Sequence, residues 1–64
     1  MITEKIILAK GDVAELLLIS VRKLEKLIVD EKFLAPFFIG DLPRWRLADV
    51  LRWIEENLQP GSRI

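Results

Sequence analysis

The sequence contains no cysteine, no histidine and no tyrosine. Without thiols there is no disulfide framework, and without thiolate or imidazole ligands no ordinary metal site is expected, so folding has to rest on packing. The same gaps remove the commonest general base and the thiol nucleophile. Carboxylates stand in adjacent pairs, Asp30-Glu31 and Glu55-Glu56, and neighbours on a helix do not face one another as an acid/base dyad must. Gly11, Gly40 and Gly61 are isolated, which leaves no phosphate-cradling loop. No enzyme, cofactor or small-molecule substrate is therefore expected. The apolar runs, such as Ile6 to Ala9 and Leu16 to Ile19, are far too short to cross a bilayer, and residues 1–5 lack the apolar stretch of a signal peptide. The expectation is a soluble, cytoplasmic protein with no membrane partner.

Net charge is also missing, because ten basic and ten acidic residues cancel. Binding to a polyanion rests largely on neutralised phosphates, so only the distribution of charge can favour it. From Ser20 to Arg46 there are six basic residues against four acidic ones, and the remainder has four against six. That central segment is mildly positive, and the field it creates is weak.

The 64 residues make one small domain, of a size that buries only about 60% of its unfolded surface. Its most informative stretch is VAELLLISVRKLEKLI, Val13 to Ile28. Val13, Leu16 and Leu17 keep helical spacing, and Val21, Leu24 and Ile28 resume it after a break, with Leu27 widening the second stripe. The spacing predicts a helix from about Gly11-Asp12, with a weakly capped start, and a second helix from Val21 to about Asp30. Ser20 stands at the N-cap of the second. The intervening turn places Leu18 where glycine commonly sits, and the turn after the second helix also lacks glycine around Asp30-Glu31-Lys32. Two helices joined by a short turn, the second carrying Arg22, Lys23 and Lys26 outward, fit a helix-turn-helix that lays its second helix in a DNA major groove. A plain helical hairpin with a solvated face fits equally well, with Arg22 paired to Glu25 one turn on.

A short apolar run, Ile6-Ile7-Leu8, precedes this unit and suits a strand or an extended segment under the core. After it, Phe33 and Pro36 pin a loop, and Phe37-Phe38-Ile39 and Arg44-Trp45-Arg46 flank a Gly40-Asp41-Leu42-Pro43 turn as a β-hairpin. Alternation sends Trp45 to one face and Arg44 and Arg46 to the other, a basic face suited to a wing, and likewise opposes Phe38 to Phe37 and Ile39. From Leu47 to Leu58 the helical period returns, with Leu47, Val50, Leu51, Ile54 and Leu58 as the apolar stripe and Trp53, half exposed, at its edge. The fold expected is α+β, a small winged helix-turn-helix of three helices and a two-stranded β-hairpin wing over residues 1–58, with 59–64 a flexible tail.

Val13-Ala14-Glu15-Leu16-Leu17, Ile19-Ser20, Leu24, Leu27-Ile28, Lys32-Phe33, Pro36, Ile39-Gly40, Arg44-Trp45-Arg46, Asp49 and Trp53 follow one another at spacings that resemble the AlpA-like prophage regulators and excisionases of the MerR-type winged-helix superfamily. The resemblance implies sequence-specific binding of double-stranded DNA, in transcription regulation or excision of a prophage or mobile element. It implies recognition-helix contacts from Ser20, Arg22, Lys23 and Lys26, and contacts from Lys32, Arg44 and Arg46 in the wing and loop. The chain departs from that pattern in two ways. Leu18 and Glu31 stand where the family usually has glycine, and Val21, Val29, Ala35, Phe38 and Leu42 stand where it usually has polar or basic residues. Val21, Val29, Phe38 and Leu42 are therefore candidates for a partner surface, used in self-association or by a protein such as a recombinase. The alternative to a DNA-binding regulator is a protein-interaction module that keeps the fold with weak or no DNA affinity.

Overall fold

Strand alternation in Leu42–Arg46 turns Trp45 inward between two outward arginines, and the rest of the chain is built around that strand. The computed structural model describes residues 6–64; the segment 1–5, read above for a signal peptide, lies outside the described residues. The order is β1 (Ile7–Leu8), α1 (Lys10–Leu17), α2 (Val21–Val29), β2 (Phe37–Ile39), β3 (Leu42–Arg46) and α3 (Leu47–Asn57). The sheet has three strands and not two. β3 is central and pairs antiparallel with β1 (Ile7 with Arg46, Leu8 with Trp45) and with β2 (Phe37 with Arg44, Phe38 with Pro43, Ile39 with Leu42). The run read from sequence as a strand or an extended segment supplies the third strand at Ile7–Leu8, with Leu8 in the core beside Trp45.

Local chemistry explains the helix ends. α1 begins at Lys10, one residue earlier than expected, after Ala9. Alanine has no side-chain acceptor, so only half of a capping box forms, with the Ala9 N–H donating to Asp12 Oδ2 at 3.0 Å. Ser20 caps α2 as expected, its Oγ accepting from the Lys23 N–H at 3.0 Å. Both helices close with the same motif. Leu18 N–H donates to Glu15 and Ile19 N–H to Ala14, while Glu31 N–H donates to Ile28 and Lys32 N–H to Leu27. These are two Schellman closures, and each requires a left-handed residue. Leu18 (φ 58°) and Glu31 (φ 59°) supply it in place of glycine, so α2 has a strained turn at either end.

The core consists of Leu8, Val13, Ala14, Leu24, Leu27, Phe33, Trp45, Val50 and Trp53. Trp45 is 2% exposed, and its indole N–H donates to the Leu34 carbonyl at 3.0 Å. Phe33 meets Trp53 edge-on at 4.6 Å and Trp45 at 6.1 Å. The expected stripe of α3 is corrected by that contact. Trp53 is buried at 8% exposure, whereas Leu51 and Leu58 face solvent, because the helix rolls to seat the larger ring against Phe33. Leu16 of α1 is likewise exposed although its spacing placed it in the core. The hairpin extends past the core, leaving Phe37, Phe38 and Ile39 all exposed.

Pro43 sits in the central strand without harm. Lacking an N–H, it falls at a non-hydrogen-bonded pair with Phe38, and on its other side β1 has already ended. In the turn, Gly40 has φ 65° and Asp41 is not left-handed, the pattern of a type II′ hairpin with glycine first.

Two stability measurements check this account. Trp45→Ala should cost about 3–5 kcal/mol, enough to unfold a domain this small, in thermal or urea melts. Leu18 is 90% exposed, so Leu18→Gly loses almost no packing. Relief of about 1–2 kcal/mol of left-handed strain against about 0.5–1 of backbone entropy should raise stability by about 0.5–1 kcal/mol.

Candidate nucleic-acid interface

α2 packs through Leu24 and Leu27, which are buried, and Ile28, which is partly so. The helical period then puts Arg22, Lys26 and Val29 on one outward stripe, at i, i+4 and i+7, with Lys23 on its flank. The expected pairing of Arg22 with Glu25 does not occur. Glu25 Oε2 instead holds Lys10 Nζ of α1 at 3.0 Å. Lys26 lies 3.5 Å from Asp30 and is mostly solvated, an exposed pair that yields readily to a stronger anion. Among the described residues, Arg22 and Lys23 have no carboxylate partner. Ser20 is exposed, and since its oxygen accepts the capping bond, its hydroxyl proton remains available for an external acceptor.

The other basic residues gather elsewhere. Arg44 and Arg46 project from the sheet face opposite Trp45 and line a cleft of about 190 Å³ that α3 completes with Asp49, Arg52 and Glu56. The Arg44 guanidinium folds back on the Pro43 carbonyl at 2.7 Å, and Arg52 lies 3.7 Å from Asp49. Lys32 lines the neighbouring hollow with Trp53, Asn57 and Arg63. Lys32, Arg44 and Arg46 thus belong to clefts closed by α3 and not by α2. Arg52 joins this group unannounced by sequence. The only available signal was the absence of a linker, since α3 starts directly after Arg46 and brings its first two turns back beside β3.

The four apolar candidates also divide. Val29 and Phe38 share an open groove between α2 and the hairpin with Ile28, Pro36 and Pro43, and the Lys10–Glu25 pair stands at its rim. Leu42 pairs with Ile39, one residue along from Phe38 and so on the opposite face of the hairpin. Val21 begins α2, two turns away from Val29.

No protein-family model, curated protein or solved structure matches this chain. No helix among the described residues is long and apolar enough to cross a membrane.

The Lys10–Glu25 pair joins α1 to α2 across solvent-exposed side chains, so its contribution to folding is small. Glu25→Gln should change stability by less than about 1 kcal/mol, as read from urea midpoints.

Proposed function

We propose that this chain is a DNA-binding regulator or excisionase-like factor of a prophage or mobile element, a winged helix-turn-helix in which α2 enters the major groove. The observation that carries the reading is the outward stripe of α2. It presents Arg22 and Lys23 unpaired among the described residues and Lys26 in an exposed pair, on a helix held by two Schellman turns and a serine cap. Arginine suits bidentate contact with guanine, and Val29 at the end of the same stripe suits a thymine methyl. The short turn between α1 and α2, the β2–β3 hairpin and the resemblance to AlpA-like proteins support the same reading. Lys32, Arg44 and Arg46 are assigned to the phosphate backbone. With roughly four phosphates neutralised, log K should fall against log salt with a slope of about −3 to −4.

A second reading, a protein-interaction module on the same fold, is favoured by one specific observation. Val29 is 78% exposed and shares an apolar groove with Phe38, in a chain of zero net charge.

Titration of one cognate and one scrambled duplex at several salt concentrations separates these roles. Arg22→Ala should cost about 1–3 kcal/mol on the cognate site and much less on the scrambled one. Arg44→Ala and Arg46→Ala should weaken both duplexes by similar factors and flatten the salt slope by about one unit each. An unchanged slope in both variants would confine the contact to α2. Absence of binding to any duplex from a random pool at low salt would overturn the DNA-binding reading in favour of the interaction module.

A further inference from the structure

β2 is an edge strand, with β3 on one side and no pairing on the other among the described residues. The register decides which of its backbone groups face outward. Because Pro43 has no N–H, its pairing with Phe38 is of the non-hydrogen-bonded kind, flanked by the bonded pairs Phe37–Arg44 and Ile39–Leu42. The N–H and C=O of Phe38 therefore point at the open edge. Proteins commonly guard such edges with lysine, inward charges or bulges. Here no charged residue occurs between Lys32 and Asp41, and the strand's own side chains, Phe37, Phe38 and Ile39, are all exposed.

We propose that β2 pairs antiparallel with β2 of a second copy of this chain, centred on Phe38, so that two three-stranded sheets join as one of six strands. The sequence is self-complementary in that register. Phe38 lies opposite its own counterpart and exchanges both outward hydrogen bonds with it, and Phe37 lies opposite the second copy's Ile39, an aromatic–aliphatic pair of the favoured kind. The Pro36 carbonyl, outward by the same alternation, meets the second copy's Gly40 N–H. Asp41 falls opposite Ala35, so no like charges meet, and with zero net charge the two copies do not repel. Val29 and Pro43, which line the groove on Phe38's side, form an apolar bed beside the joint. Each copy uses the same edge, so the contact closes at two and does not propagate. The shared edge is only three residues a side, far fewer than the roughly 20–30 residues a side of a standard interface, so the contact is a small one. This pairing stands independently of DNA binding, and its test uses no DNA.

Sedimentation of the full chain from about micromolar to about millimolar should show a monomer–dimer equilibrium. Amide exchange should slow at Phe38 as concentration rises, while Phe37 and Ile39, bonded to β3 in either state, stay protected throughout. Phe38 is 61% exposed and Ile39 is also solvated, so Phe38→Lys and Ile39→Lys should melt like the parent when dilute. Each should weaken association by at least about tenfold, Phe38→Lys by placing two ammonium groups face to face. A strict monomer at the highest concentration overturns the proposal. So does a dimer whose Phe38 amide exchanges freely, or one that survives both lysine variants; loss of that dimer in Val29→Glu would assign the contact to the outward face of α2.

Discussion

The hydrogen bond from the Trp45 indole to the Leu34 carbonyl is the constraint on which the remaining structure depends. The chain from Asp30 to Pro36 has no regular structure, yet it has to carry the polypeptide from the end of α2 to the start of the hairpin. It is held from both sides of one residue pair, with Phe33 buried against Trp45 and Trp53 and the Leu34 carbonyl bound to the buried indole. A buried N–H without an acceptor is costly, so the ring and the loop fix one another. Through its ladder pairing with Leu8 the same tryptophan also holds β1. Sheet, loop and α3 therefore share a single aromatic junction.

Much of this was legible in the sequence, for reasons that differ from element to element. The two central helices were readable because a 3.6-residue apolar period and a serine cap agree there, and the hairpin because Gly-Asp between β-prone runs has few alternatives. The want of glycine at Leu18 and Glu31 was also visible; that both positions nevertheless take the left-handed conformation was not, since leucine and glutamate disfavour it. The roll of α3 toward Trp53 is not legible in the sequence, because a stripe counts apolar positions without weighing the size of the ring or the presence of Phe33 opposite. Charge was the least legible layer. Glu25 reaches Lys10, fifteen positions away, and not Arg22, and Arg44 and Arg46 acquire Arg52 as a neighbour only because α3 folds back without a linker.

α2 carries an unusual load for a helix of nine residues. Its inner face supplies Leu24 and Leu27 to the core, its outer stripe holds the cations Arg22 and Lys26 that we propose meet DNA, and its last turn ends in an exposed valine beside the hairpin. The core face and the outer face separate by angle around the axis, whereas Val29 lies on the same outer stripe as Arg22 and Lys26 and is set apart from them only along the axis. Val21, Val29, Ala35, Phe38 and Leu42 all lie exposed and outside the core, so a change at any of them alters surface chemistry and leaves the packing intact.

β1 meets β3 across the entire helix pair, with Ile7 and Arg46 lying 39 positions apart in the chain. The β2–β3 hairpin joins near neighbours in the chain, whereas the ring that β1 closes carries the larger loop-closure entropy of the two strand pairings. β1 is held there by Leu8, buried beside Trp45, and by the Leu47 N–H donating to the Ile6 carbonyl at 2.9 Å. Lengthening the span between the two strands therefore raises the cost of closing that ring only slowly, by about 0.6 kcal/mol for each doubling, whatever happens at the surface of α2.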